Sequence, residues 1–248
     1  MSAPSAETAP EGGFAPTPAA ASPAARARSR FHHGDLRNAA LVAALTLVET
    51  QGPEALTLRE VAAVAGVNHR ALYRHFVDLD ALRLELAGQG FHALADAIAA
   101  ALVDLQVDGL AGVGAGAGAG AGGKRAALLR AYVRFALTRP DLYGLMFGMK
   151  GGDFLHHPVL APAVRRVTDR AAEIFRRADD PPGFSDRLRD RVVTVWGLAH
   201  GLCDLWRRGA LRARDPGEAE AYILALLAAD PALRPPSPPG LSPGQGPA

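Results

Sequence analysis

The side chains best suited to chemistry in this sequence form one short polar cluster between residues 68 and 75. The cluster combines an amide, two imidazoles, two guanidiniums and a phenol: Asn68, His69, Arg70, Tyr73, Arg74 and His75. Such groups donate hydrogen bonds to phosphate oxygens and to base edges in the DNA grooves. Leu72 and Phe76 are four residues apart, so a helix here would bury them and turn the polar groups outward. The pattern indicates a helical face that could contact DNA.

Two short helices joined by a tight turn would position this cluster. Thr57-Leu58-Arg59-Glu60 is a capping box that starts one helix, and Gly66 can end it with a positive φ. After Val67, Asn68 can cap the next helix. A longer helix over 35–51 precedes them, because its apolar residues recur at helical spacing up to a Gly-Pro stop. The sequence therefore predicts a three-helix domain with a helix-turn-helix.

Catalytic and metal-binding motifs are absent from the sequence. It has no Walker A loop, no GxGxxG after a strand, no nucleophile elbow and no HExxH. Cys203 is the single cysteine, which excludes an intrachain disulfide and a Cys-rich zinc site. His32 and His33 lack further ligand spacing. We expect no catalytic residue, no metal and no cofactor.

Proline and glycine divide the 248 residues into ordered and disordered parts. Prolines concentrate at the two ends and glycines in a Gly/Ala run, which predicts disordered tails over 1–32 and 231–248 and a flexible insertion over 109–123. The first tail ends in a basic arm of Arg26, Arg28 and Arg30, either a DNA-contacting arm or a solubilising tail. The net charge of +2 neither requires nor excludes nucleic acid.

Membrane insertion is not expected from the sequence. The N-terminus has no basic and apolar leader, and no uncharged, strongly apolar run reaches about 18 residues. A soluble cytoplasmic protein is the expectation.

Residues after 80 repeat the helical pattern. Predicted helices cover Asp80–Gln106, Lys124–Thr138, Leu142–Met149, His157–Arg177, Ser185–Arg208 and Glu218–Ala229. The predicted fold class is all-α, with an N-terminal three-helix helix-turn-helix domain and a C-terminal helical ligand-binding and dimerisation domain.

The stretch His33–Leu94 resembles the N-terminal domain of TetR/AcrR-type transcriptional regulators. The resemblance is carried by Ala40, Gly52, Leu56-Thr57-Leu58-Arg59-Glu60-Val61-Ala62, Ala65-Gly66-Val67 and Leu72-Tyr73-Arg74-His75-Phe76. It implies a DNA-binding domain over 34–94 whose helix-turn-helix runs from Thr57 to Phe76. It also implies that His69, Arg70 and Tyr73 face DNA and that Tyr73 and His75 lie at the phosphate backbone. Thr57, Arg59, Asn68 and Arg74 complete the predicted DNA-binding set.

One segment departs from that family pattern. The family usually carries Pro-x-Lys or Ser-Lys before its fourth helix, whereas this chain reads Val77-Asp78-Leu79-Asp80. Leu79 replaces a lysine that typically contacts phosphate, and two acids flank it. We expect nonspecific DNA affinity to be weaker by about one phosphate contact.

The C-terminal half resembles a TetR subgroup with a Trp-His-Gly signature, the WHG domain. Trp196-Gly197-Leu198-Ala199-His200-Gly201 and Arg139-Pro140-Asp141-Leu142-Tyr143 carry this resemblance. It implies a regulatory domain over 95–230, a homodimer built on the helices 187–208 and 218–229, and an effector pocket among the other helices. The pocket candidates are Phe135, Tyr143, Met146, Phe147, Trp196 and His200, for which core packing is the alternative.

Three C-terminal features allow two interpretations each. His200 either donates to a ligand or bonds a core carbonyl, with Trp196 on the pocket wall or filling volume. Gly197 and Gly201, four apart, suggest that another backbone or a ligand passes close. Cys203 is a buried small hydrophobe or a redox sensor.

The resemblance implies a homodimeric, ligand-released repressor that binds a palindromic double-stranded DNA operator, with an unknown small-molecule effector. The motifs favour a repressor and leave an activator as the open alternative. The alternative from another class is a helical small-molecule-binding protein or enzyme that keeps the fold without DNA binding.

Overall fold

The protein is described by a computed structural model over residues 33–110, 120–148 and 156–230. Within those ranges it has nine α-helices and no strand: α1 His33–Gln51, α2 Leu58–Ala65, α3 His69–Leu72, α4 Leu79–Leu110, α5 Ala121–Thr138, α6 Pro140–Phe147, α7 Ala161–Phe175, α8 Asp186–Arg207 and α9 Pro216–Ala229. The all-α prediction is confirmed. The two predicted tails, the basic arm and most of the predicted insertion lie outside the described residues.

The first three helices form the predicted helix-turn-helix. Thr57 Oγ1 accepts from the Glu60 amide at 3.1 Å and caps α2, and Gly66 ends that helix at φ 67°. Asn68 Oδ1 accepts from the Arg70 amide at 2.9 Å and caps α3. The α-helical part of α3 is only four residues long, and tighter turns carry the chain on to Phe76. These local bonds satisfy amides that helix ends leave unpaired, so the sequence alone determines the turn.

Helix α4 connects the helix-turn-helix to the rest of the molecule. It contacts α1, α5, α6 and α7, and it continues to Leu110, beyond the predicted end at Gln106. The predicted domain boundary at residues 94 and 95 therefore falls inside one continuous helix. Its segment Leu79–Asp108 has the length and mean hydropathy, 1.4, of a membrane span, but 44% of its most apolar stretch is buried inside the protein. With contacts to four other helices, α4 is the central helix of a folded core.

Glycine at position 90 lets α6 lie directly against α4. A Cβ placed on Gly90 would be 2.6 Å from the Sδ atom of Met146, which is shorter than real Cβ contacts. Met146 is fully buried there. The close approach of the two helices thus depends on one missing side chain.

Four C-terminal helices begin two or more residues from the predicted position. Helix α6 begins at Pro140 rather than Leu142, since proline suits the first turn of a helix. Helix α5 begins at Ala121, so the last three residues of the Gly/Ala run are helical. Helix α7 begins at Ala161 rather than His157, because the Leu160 and Ala161 amides close turns onto the His157 carbonyl first. Helix α9 begins at Pro216, because Asp215 caps it by accepting from the Glu218 amide at 2.9 Å.

Arginines from neighbouring helices cap the end of α7. Arg125 donates to the Ile174 carbonyl at 3.4 Å and Arg191 to the Phe175 carbonyl at 2.9 Å. Cations suit the negative end of a helix dipole. Arg191 also binds both carboxylate oxygens of Asp180, at 2.8 and 3.1 Å, which lowers the pKa of Asp180 to about 2. These bonds explain why α7 ends at Phe175, two residues before the predicted end.

Candidate functional site

The predicted DNA-contacting side chains lie on the outer surface of α2 and α3. Seven of the eight are exposed, namely Thr57, Arg59, Asn68, His69, Arg70, Tyr73 and Arg74, and His75 is half-buried. Leu72 and Phe76 point the other way and are buried in the core. The exposed fraction of Tyr73 is 57%, large for an aromatic side chain that could have packed inward. The helix-turn-helix thus separates an apolar inner face from a polar outer one.

Four of these side chains converge on one shallow depression between α2 and α3. Arg59, Asn68, His69 and Arg70 line it together with Ala62, Ala63 and Val67. Within the described parts of the chain, Arg59, Arg70 and Arg74 form no salt bridge. Their guanidiniums therefore remain available for phosphate oxygens or guanine edges.

The unusual segment before α4 has a structural use. Asp78 Oδ1 accepts from the Ala81 amide at 2.8 Å, so Asp78 caps α4. Asp80 pairs with Arg83 at 3.1 Å, and Leu79 packs partly buried against the core. The two acids are thus engaged in starting the helix, and Leu79 contributes an apolar contact where the family pattern has a lysine.

The C-terminal helices enclose a cavity of about 330 Å³. Side chains from α4 to α8 line it: Phe91, Leu94, Ile98, Leu128, Leu129, Tyr132, Phe147, Val164, Val167, Thr168, Ala171, Phe175, Val192, Val193, Val195, Trp196 and Ala199. Val193 and Trp196 are its exposed members, with 51% and 41% of their surface accessible. The cavity therefore opens beside α8 and is otherwise closed by buried or half-buried side chains.

Two of the six predicted pocket residues line this cavity, Phe147 and Trp196. Tyr143 and Met146 are fully buried behind it in the core. Phe135 is buried beneath the guanidinium of Arg139, 5.6 Å from the ring centroid, and faces a separate groove between α4 and α5. His200 is half-buried and contacts the wall residue Phe147, with 4.5 Å between the ring centroids, but it does not itself line the cavity. The structure thus places two of the six predicted residues on the cavity wall and the other four behind or beside it.

A chain of hydrogen bonds joins the cavity wall to His200. The indole Nε1 of Trp196 donates to the Tyr132 hydroxyl at 3.1 Å, and the Tyr132 and Tyr143 hydroxyls are 2.7 Å apart. The Tyr143 hydroxyl lies 2.6 Å from His200 Nδ1. His200 is thus bonded to a phenol, which neither of the two sequence-based interpretations anticipated.

Burial determines the protonation states along this chain. Burial lowers the pKa of His200, although the charge of Asp204 opposes the shift, so the neutral imidazole is favoured. Nδ1 of the neutral imidazole can then accept a hydrogen bond from the Tyr143 hydroxyl. Burial also raises the pKa of both tyrosine hydroxyls. All four groups are therefore neutral near pH 7.

The thiol of Cys203 lies close to this chain but takes no part in it. It is 2% exposed, and burial raises its pKa to about 12. A thiol that stays protonated and enclosed is a poor nucleophile. This environment matches a small hydrophobic core residue.

Most cavity residues were not distinguishable from core residues in the sequence. Leu128, Leu129 and Tyr132 stand out as apolar positions of one helix, but periodicity only says that such residues point inward. A gap remains where the inward faces of α4, α5, α7 and α8 fail to meet, and that depends on tertiary packing. The one feature of the sequence that could have indicated the cavity is the aromatic residue type at five of its wall positions, 91, 132, 147, 175 and 196.

Two structural links connect the cavity to the DNA-facing helices. Helix α4 carries Phe91, Leu94 and Ile98 on the cavity wall and begins directly after the helix-turn-helix. Helix α6 carries Phe147 and packs against α1. At that contact the Arg139 guanidinium binds the Glu49 carboxylate at 2.6 Å. Two helices thus connect the cavity wall to the DNA-facing part of the chain.

Comparison with known proteins agrees with this architecture. Residues 40–86 match the family profile described as bacterial regulatory proteins, tetR family, and residues 126–229 match a tetracyclin repressor-like C-terminal domain. A search of curated proteins found no match. The Trp-His-Gly subgroup stays a prediction.

Several solved structures share the fold. A protein of unknown function from Rhodococcus sp. RHA1 is 30% identical, with a TM-score of 0.60 over 80% of this chain and 96% of that one. A protein assigned to the TetR-family transcriptional regulators, from Mesorhizobium loti MAFF303099, is 16% identical, with a TM-score of 0.54 over 81% and 96%. A TetR-like transcriptional regulator from Rhodococcus sp. RHA1 is 13% identical, with a TM-score of 0.50 over 80% and 97%.

Residues 40–86 and 126–229 thus match the same kind of protein, and the helix-turn-helix and most of the cavity wall lie within those matches. The chain belongs to the TetR family of bacterial transcriptional regulators.

Proposed function

We propose that this protein is a ligand-released repressor that binds a palindromic operator as a homodimer in the cytoplasm. The observation that carries the proposal is the pairing of an exposed, cation-bearing helix-turn-helix with an apolar cavity through one continuous helix, α4. Arg59, His69, Arg70 and Tyr73 are the residues that read DNA, with Arg74 and His75 at the phosphates. Thr57 and Asn68 hold the two helices in place through their caps and lie at the same surface.

The exposed side of α8 and α9 supports a homodimer. These two helices pack together and leave apolar side chains accessible, including Val193, Leu205, Tyr222 and Leu226. A Cβ placed on Gly197 or Gly201 would meet nothing within 4 Å, so this side of α8 is open within the protomer. A second copy packed there would bury the apolar surface and bring two helix-turn-helix units to one duplex.

Ligand release follows from the links between cavity and DNA face. An effector that fills the cavity presses on the wall residues of α4 and α6, and both helices bear on the helix-turn-helix. A shift in the separation of two dimer-related readers would misalign them with successive major grooves. Effector and operator then act on one shared equilibrium, so each weakens the binding of the other by the same factor.

The alternative is a ligand-binding protein or enzyme on this fold that does not bind DNA. Its support is the segment 77–80, where two acids and a leucine replace the usual phosphate-contacting lysine. Asp78 and Asp80 help to start α4, so the two acids have a structural explanation that does not require a loss of DNA binding. Ligand binding without salt-dependent DNA affinity would favour this alternative.

The test is a gel shift with the full chain on DNA flanking its own gene, with salt titration. Arg70→Ala and Tyr73→Phe should each weaken specific binding about 10- to 100-fold, because each removes a contact at the DNA surface. The control is Arg130→Ala, which removes an exposed guanidinium from α5 and should leave DNA binding unchanged. Equal affinity for flanking and unrelated DNA, or no effect of either substitution, would contradict the proposal.

A further inference from the structure

We propose that the cavity binds an uncharged molecule of about two rings and rejects charged relatives of the same shape. This inference rests on the proposed function, because it names the class of effector that the cavity takes. It draws on the charge, the hydrogen bonds and the size of the cavity.

No side chain with a formal charge lines the cavity among the described residues. The nearest buried cation is Arg125, whose guanidinium carbon lies 5.5 Å from the ring centroid of Phe175. Phe175 lines the cavity but Arg125 does not, and Arg125 is directed to the Ile174 carbonyl. A carboxylate or ammonium group inside would therefore lose its water without gaining a counter-ion.

The polar groups of the wall are already bonded within the protein. Thr168 Oγ1 donates to the Arg165 carbonyl at 3.2 Å, and the Trp196 indole donates to Tyr132. The Tyr132 hydroxyl has three hydrogen-bonding positions, of which Trp196 and Tyr143 occupy two. Because Tyr143 donates to His200, Tyr132 donates to Tyr143, and the third position of Tyr132 is a lone pair that accepts. The wall can thus pair with about one donor of a ligand, such as a hydroxyl. A ketone finds no partner there, but burying it costs far less than burying an ion.

Size and ring content set the shape of the ligand. A cavity of about 150 Å³ lined by Leu, Ile and Phe holds benzene. The volume here is about 330 Å³, room for roughly two rings. Five wall residues are aromatic, namely Phe91, Tyr132, Phe147, Phe175 and Trp196. Their rings offer edge and face contacts to a flat partner.

The experiment compares three naphthalene probes of nearly equal size by equilibrium dialysis at pH 7.5. They are 2-acetylnaphthalene, which is neutral, 2-naphthoate, which is anionic, and 2-naphthylmethylammonium, which is cationic. We expect the ketone to bind at least about 100-fold more tightly than either ion, because an ion would be buried without a partner.

Two alanine substitutions locate the binding. Ala171→Phe places a ring inside the cavity and should abolish ketone binding. Ala126→Phe adds the same ring at an exposed position of α5 outside the cavity and should leave it unchanged. The inference is overturned if 2-naphthoate or the ammonium binds as tightly as the ketone, or if no probe binds in an Ala171-dependent way.

A gel shift on the same preparations separates this inference from the proposed function. A chain that shifts DNA but fails the dialysis test keeps its role on DNA and loses the ligand class. A chain that binds the ketone but not DNA loses the repressor function and keeps the ligand class.

Discussion

At the residue scale, the distinctive feature is the hydrogen-bonded series from Trp196 to His200. It ties a cavity-wall indole on α8 to Tyr132 of α5, to Tyr143 of α6 and back to α8. Buried polar groups cost free energy unless they are paired, so this series fixes three helices in one relative position. The sequence supplied Trp196 and His200 as a pair one turn apart, but their phenol partners depend on how α5 and α6 pack.

The lowered pKa of His200 predicts a pH dependence of stability. The unfolded chain takes up a proton near pH 6.5, whereas burial keeps His200 neutral in the folded protein to lower pH. Burial of neutral His200 should therefore contribute fully to the free energy of unfolding above pH 6.5. This contribution should be lost as the pH falls from 6.5 through the lower pKa of His200 in the folded protein. Urea unfolding of the wild type and His200→Gln from pH 8 to pH 5 measures it.

The difference in free energy of unfolding between the wild type and His200→Gln should become smaller as the pH falls. Only the wild type has an imidazole at this position whose protonation favours the unfolded chain. His92→Gln, the same change at an exposed histidine of α4, serves as the control. A difference in free energy of unfolding that stays constant from pH 8 to pH 5 would refute the role given to burial of His200.

At the element scale, helix ends were predictable where one side chain determines them. Thr57 and Asn68 accept from amides within three residues of themselves, and the Gly66 amide donates to carbonyls in the last turn of α2, so the sequence was sufficient for the helix-turn-helix. The end of α7 depends on Arg125 and Arg191 from other helices, and no local pattern contains that information. The same reason explains why four of the six predicted pocket residues do not line the cavity: helical periodicity identifies the inward face of a helix but not the residues that this face meets.

Alanine substitution of the two glycines inside α4 should change the free energy of unfolding in opposite directions. Gly90→Ala should lower the free energy of unfolding by about 1–2 kcal/mol, because its Cβ would collide with Met146 across the α4–α6 contact. Gly88→Ala should raise it by up to about 1 kcal/mol, because a Cβ there meets its nearest atom at an ordinary 3.6 Å.

Thermal and urea unfolding of both variants provide the measurement, and each glycine controls for the other, two residues away on the same helix. Equal stabilisation by the two substitutions would show that α6 does not need Gly90 in order to pack.

At the scale of the whole molecule, the two proposed binding surfaces lie on different helices that are joined through the core. The exposed apolar side of α8 and α9 suits a second copy of the chain. The exposed polar face of the helix-turn-helix suits DNA. A dimer would place two readers about a two-fold axis, and operator symmetry would mirror that axis. The net charge of +2 does not mark the DNA-facing surface, because arginines occur on most of the described helices and only Arg59, Arg70 and Arg74 lie in the helix-turn-helix.

Hydroxyl-radical footprinting of the full chain on the flanking DNA is the decisive test for a dimeric DNA reader. We expect two protected half-sites related by a two-fold axis, with centres one helical turn of about 34–36 Å, or a multiple of it, apart. Arg70→Ala should weaken the protection of both halves together. A single unsymmetrical protected stretch, or uniform protection along the fragment, would contradict a dimeric DNA reader.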